Sequence, residues 1–440
     1  MRTNLRHLLT ATTVLTAVFS AHAANSSSAT VPDSTPTPAV TTPTPLSLPT
    51  AIPYEQIGVL DASMILQPDF YQGPNFKVRN PVPISFGANH FIIDSDFGVF
   101  EADGNAVLMR RVAEINAIAK LNAVSQSKEF TDAAKAAAKA PLHFAQDLAN
   151  DPVATLSSVP EGIFGFLNRA KEAVTNAVDG NNDNNSDDSV VEDLSGFAKM
   201  KRDIAIKLGV DPYTTNETFQ NELSKVAWPA FLGKFAVNLG MAAIGGPALS
   251  VTNLSINLSN SIRDKSRAQL RRMNTDLLQN NMGVSADTTE NFLDNNAFTP
   301  AMQTILVDAL AQLGNIPGQA AFIREASTSQ NEHDALAYQR VAQLMAEIGK
   351  KAAITRIAHL NGLTLCRTID GRLVVPIEWD YAAWTPVVDS FLTTLKAEKF
   401  ATPVSGYAVY LTGAASPAAL DAAKDRTIDV TTKALPGPLK

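Results

Sequence analysis

A single cysteine, Cys366, stands in a chain of 440 residues. Neither an intrachain disulfide nor a multi-cysteine metal site can form, and no disulfide-linked partner is expected. Its setting, Leu363-Thr364-Leu365-Cys366, is an apolar strand-like run, which points to a buried, inert thiol rather than a nucleophile. Charge is also scarce: Asp, Glu, Lys and Arg make up 18% of the chain, against about 25% in ordinary globular proteins. What charge there is leans acidic, with 36 Lys+Arg against 43 Asp+Glu and a net of −7. That balance argues against nucleic acid as a partner, because phosphate binding needs a cationic surface. The catalytic signatures are missing too. There is no phosphate loop, dinucleotide glycine fingerprint, HExxH pair or GxSxG elbow, so neither cofactor nor metal is expected. Beyond the first 23 residues only His90, His143, His333 and His359 occur, with no ligand spacing. Ser125-Gln126-Ser127-Lys128 satisfies S-x-x-K, but its companions S-D-N and K-T-G are absent.

What is present begins with an address. Arg2 and Arg6 precede the apolar run Leu8 to Phe19, which closes on Ala21-His22-Ala23, a small-x-small cleavage pattern. Residues 1–23 are therefore expected to be a signal peptide and the protein exported, to a periplasm or to the medium. The apolar run falls short of the ~20 residues that a stable membrane helix needs. Cleavage would remove two Arg and no acid, leaving the mature chain more acidic still. Residues 24–52 are rich in Ser, Thr and Pro and read as a semi-rigid, extended tether.

Apolar residues make up 45% of the whole chain, enough for a folded core. The pattern predicts a mainly α protein with minor β, an α+β fold. Residues 53–178 open with short runs such as Val82-Pro83-Ile84-Ser85-Phe86 and His90-Phe91-Ile92-Ile93, split by Gly, Asn and Asp, as in a small antiparallel sheet. Asp94 and Asp96 read as solvated turn residues. From Val107 to Leu121 the apolar spacing becomes helical, an Ala-rich helix spans about Thr131 to Ala140, and a third reaches Val178. Residues 179–195 are an Asn/Asp/Ser-rich linker that imitates a calcium loop without its glycine, and a plain linker is the better reading. Residues 196–362 read as a large helical middle. It includes a helix after the Thr299-Pro300 start and one from about Glu332 to His359. Residues 363–440 form a small C-terminal α/β unit in the order β-β-α-β-α-β, with Asp370-Gly371 as a hairpin turn.

Two places could carry an interaction. The first is central. Phe231 to Leu249 is the least polar stretch of the mature chain. Lys234 and the glycines argue for a buried helix over a membrane-inserting hairpin. A basic helix from Ser261 to Met273 follows, with Arg263, Arg267 and Arg271 in one stripe and Lys265 and Arg272 in another. Cations flanking Ile262 and Leu270 suit an anionic lipid surface, and equally an ordinary solvated helix face. The second is Glu378, Trp379, Asp380, Tyr381 and Trp384, where acids and aromatics could line a ligand cleft or fill a core at the end of a hairpin.

Four phrases resemble those of exported bacterial proteins that carry no assigned function. They are Asp94-Ser95-Asp96-Phe97-Gly98-Val99-Phe100-Glu101, Gly209-Val210-Asp211-Pro212-Tyr213, Lys225-Val226-Ala227-Trp228 and Leu411-Thr412-Gly413-Ala414-Ala415-Ser416-Pro417. The resemblance implies a shared fold and export route and brings no catalytic residues. The expectation is a non-catalytic cell-envelope protein that binds an anionic membrane surface or an envelope protein through its central helices. The alternatives are a periplasmic hydrolase with a site assembled from distant residues, and a pore-forming or secreted effector.

Overall fold

The computed structural model describes residues 52–137, 187–237 and 255–440, apart from Ile57, Lys234, Asn361, Lys399 and Ala401. The architecture is α+β, with a sheet at each end of the described chain and helices between them. The leader, residues 24–51 of the tether, the third helix and residues 179–186 of the linker lie outside the described residues. So does 238–249 of the apolar stretch.

The first sheet contains β1 (Val59–Leu60), β2 (Gln72–Gly73), β3 (Phe76–Val78), β4 (Val82–Ser85), β5 (Ala88–Ser95) and β6 (Gly98–Asp103), with the short helices α1 (Ala62–Ile65) and α2 (Pro68–Tyr71) beside it. Its central strand is β5. One edge pairs with β6, while the other meets β4 at its start and β3 at its end, all antiparallel. Asn89, Phe91 and Ile93 are buried while the residues between them are not, the period-two alternation of a sheet with one covered face. Phe86 and Gly87 form the two-residue turn from β4 to β5, with φ of 49° and 84°. Only glycine fits the second position, because a Cβ there would sit 1.2 Å from Trp379 Nε1.

The helical middle is built around α3 (Asn105–Ser125), which is buried on several sides. Val107, Leu108, Val112 and Ile115 face the main core, and Ala117, Ile118 and Leu121 face a second cluster. That cluster is completed by α4 (Lys128–Ala137), α5 (Asp187–Lys207) and α6 (Glu217–Phe231), and Phe231, Phe235 and Val237 pack against it. The start of α5 corrects the linker boundary: residues 187–195 are helical. Two acids in a first turn suit the positive end of a helix, a preference that outweighs the polar composition.

Next come α7 (Ile256–Asp264), α8 (Arg267–Asp276), α9 (Ala286–Leu293), α10 (Pro300–Ala311), α11 (Gln319–Ala326) and α12 (Glu332–Lys351). The expected single helix from Ser261 to Met273 is two. Lys265 is extended, with φ −94° and ψ 140°, and Ser266 caps α8 through a capping box with Gln269. The helix expected to reach His359 ends at Lys351, and the next segment enters a strand.

That strand, β7 (Ile354–Leu360), opens the second sheet, followed by β8 (Leu363–Thr368), β9 (Leu373–Ile377), β10 (Tyr381–Ala382), α13 (Pro386–Ala397), β11 (Tyr407–Leu411), β12 (Ala414–Ala415), α14 (Pro417–Asp425) and β13 (Ile428–Thr431). The order is β13-β11-β9-β8-β7. The first three strands are parallel and the last two antiparallel, while β10 pairs with β12 apart. Both faces are covered. Val375, Ile377, Val409 and Leu411 face α13 and α14, whereas Cys366, Val374 and Ala408 face the main core with α12. The last residues return to the N-terminal layer, where Lys440 N donates to Ile65 O at 2.9 Å and Gln67 N to Pro438 O at 2.8 Å.

Candidate functional site

The Glu378–Trp384 segment leaves the end of β9 where the two sheets and the helical middle meet. Glu378, Trp379, Asp380 and Trp384 are each engaged by another part of the chain. Asp380 is 3% exposed. Its Oδ2 accepts from Asn89 N at 2.8 Å, and both oxygens accept from Asn105 N at 3.0 Å. Asn105 is the first residue of α3, so the carboxyl sits on a helix N-terminus. Burial pushes it up to about 7 and the nearby Glu378 adds to that, while the two N–H donors and His333 act in the opposite direction. His333 Nδ1 lies 2.7 Å from Asp103 O, which requires that nitrogen to carry the proton. The fit depends on Gly104, whose φ is 92° and whose Cβ would lie 2.9 Å from His333 Nδ1.

Glu378 is held by Arg340 Nε at 2.9 Å, with the two side chains 7% and 10% exposed. Trp379 Nε1 donates to Phe86 O at 2.7 Å, and Asp380 N and Tyr381 N both donate to Gly87 O. Trp384 is in the core. Its Nε1 donates to Ile52 O at 3.0 Å, its ring lies 5.7 Å from that of Tyr54, and the Arg426 guanidinium stands 5.2 Å above it.

A cavity of about 30 Å³ lies between the second sheet and α13 and α14, lined by apolar side chains such as Ile377, Phe391, Leu411 and Leu420. That is room for one or two waters, not for a ligand. Of the five residues that could line a ligand cleft or fill a core, Trp379 borders this cavity. Glu378, Asp380 and Trp384 instead cross-link layers of the fold.

The basic group sits at the elbow between α7 and α8. Arg263 pairs with Asp264 at 3.0 Å, Arg271 pairs with Asp294 at 2.7 Å, and Arg267 lies over the Tyr213 ring at 5.1 Å. No ion pair among the described residues involves Lys265 or Arg272. The break between the helices turns the expected four-residue stripe into two groups on different axes. Ile262 and Leu258 are buried against Ala301 and Ile305, and Leu270 is fully buried. The apolar side of the elbow is thus already used, and its exposed side carries Arg267, Arg271 and Arg272 beside Asp264, Gln269 and Asp276.

A buried network on α3 escaped the sequence reading. Arg110 bonds Asp211 and Glu332, both at 3.2 Å, and Arg111 bonds Glu332 and, at 2.9 Å, Glu114. Glu114 also accepts from Thr214 and, at 2.7 Å, from Asn216. The available signal was an Arg-Arg-x-x-Glu run inside an otherwise apolar helix, since buried charges need partners. The remaining candidates are structural. Ser125 Oγ donates to Asn122 O of its own helix at 3.0 Å, Asp94 pairs with Arg79 at 2.6 Å, and Asn75 donates to Asp96. Cys366 is fully buried and burial pushes its thiol far up.

Among the described residues no helix is long and apolar enough to cross a membrane, and no group of three His, Cys, Asp or Glu is placed to hold a metal. No family model, no curated protein and no solved structure matches the chain.

Proposed function

We propose that this is an exported cell-envelope protein that works by binding, and that it docks on an anionic membrane surface through the elbow of α7 and α8. One observation carries the reading. Residues 255–276 hold five cations against two acids in a chain whose net charge is −7. Packing turns their apolar sides inward and leaves the cations outward. With Ile262 and Leu270 committed to the core, the contact is electrostatic and lies at the headgroup level, without insertion. Export rests on the charged start, apolar run and Ala21-His22-Ala23 of the leader.

The test is co-sedimentation of the full chain with vesicles of neutral and of anionic lipid. Binding should require anionic lipid and weaken steeply as salt is raised. Each cation near such a surface contributes about 1 kcal/mol, so the double variant Lys265→Glu, Arg272→Glu should weaken binding by at least about thirtyfold. Equal sedimentation of both forms would rule out this surface. Absence of sedimentation by the unaltered chain would turn attention to an acidic envelope protein.

A further inference from the structure

We propose that Asp380 is a proton-operated clasp that fastens the N-terminal sheet and the start of α3 to the C-terminal α/β unit. The geometry has three parts. The carboxyl crosses a sequence separation of 275 to 291 residues to reach its two donors, Asn105 N and Asn89 N, so it ties both β5 and the start of α3 to the C-terminal unit through one titratable group. It is buried, yet no ion pair among the described residues involves it. And the same cluster is short of a donor: Asn89 Oδ1 is buried with no partner, while Asn89 Nδ2 is spent on Asn105 Oδ1 at 3.1 Å.

The charged and titratable groups around the clasp come from every element packed on it. Glu378, on the same segment, is occupied by Arg340 of α12. His333, in the first turn of α12, faces the Gly104 turn and bonds Asp103 O. His90 of β5 pairs with the Asp103 carboxylate of β6 at 2.5 Å, on the exposed side of the strands. None of these supplies a fixed positive charge to Asp380. A proton on the carboxyl removes an unpaired buried charge from a cluster that holds no cation for it, so the neutral form closes the joint and the ionised form strains it.

The sign follows from the raised folded value of about 7 against an ordinary 3.8. Between those values the closed joint holds a proton that an opened joint releases, so closure weakens as pH rises from about 4 to about 7 and levels off above 7, where both forms are ionised. One proton per opening means about a tenfold change per pH unit inside that window.

The experiment is amide hydrogen exchange of the full chain between pH 5.5 and 8.5, corrected for intrinsic base catalysis. Protection of Asn89 and Asn105 should fall by about tenfold per pH unit up to about 7 and level off above it. Asp380→Asn, uncharged and of the same shape, should show no such slope. His333→Gln removes a group that lowers the Asp380 value and should move the levelling-off to higher pH, a shift that a merely structural role would not produce. Protection in the unaltered chain that is flat across this range overturns the clasp, whether or not the variants fold. So does the same slope in Asp380→Asn.

Discussion

At the scale of single residues, this chain invests its buried charges in fastening. Glu114, with a side chain 2% exposed, accepts from Arg111, Thr214 and Asn216 and thereby ties α3 to the loop before α6. Replacing it by alanine would leave Arg111 with Glu332 alone and strand the Thr214 and Asn216 donors. Removing one partner of a buried pair costs about 3–5 kcal/mol, so Glu114→Ala should lower the urea unfolding free energy by that amount. A loss under about 1 kcal/mol would mean that water takes over the vacated partners. The residue types were legible in the sequence, but their pairing was not. Arg110 and Arg111 find Asp211 and Glu332 at separations of 101 and 221 residues, and nothing local marks those acids as partners. The same holds for Asp380: nothing beside it in sequence marks the two distant backbone amides to which its carboxyl is committed.

Single elements were more legible, and the two misreadings have definite causes. The segment Ile354 to Leu360 puts apolar residues at 354, 357 and 360, a helical spacing, yet it is a strand. A register shift between Ile354 and Arg356 breaks the alternation, so Ile354 and Ile357 are buried although they lie three apart. At the basic elbow the apolar period runs on through Ile262 and Leu270, which masked the break. The local chemistry did record it, since Ser266-x-x-Gln269 is a capping box. Ser266 lies between the two cationic groups, so its cap bears on the proposed surface. Ser266→Ala removes the side-chain acceptor for Gln269 N and should cost about 1 kcal/mol, read as a lower thermal midpoint. Vesicle binding by that variant should weaken less than on reversing Lys265 and Arg272, because the charges are retained.

For the whole molecule, the order of elements in the C-terminal unit could be read from its punctuation: Asp370-Gly371 between β8 and β9, Thr385-Pro386 opening α13 and Ser416-Pro417 opening α14. How that unit joins the rest could not, because the joint is made of long-range pairs such as Leu66 with Leu439. The joint decides how the protein unfolds. One core cluster runs from Ala62 through α3, α10 and α12 to Cys366, Val374 and Leu435, so the second sheet lends one face to the same core as the first. A sheet that buries one face against helices of another region cannot be released without exposing that face. Unfolding of the described regions should therefore be one transition. Leu306, fully buried on α10, tests this. Leu306→Ala should cost about 2–5 kcal/mol. It should shift the far-ultraviolet signal and the tryptophan fluorescence by the same amount, although Trp379 and Trp384 lie in the C-terminal unit and α10 does not. Midpoints that separate in the variant would show that the C-terminal unit holds its fold alone, and that the proton-linked joint at Asp380 couples two bodies and not parts of one.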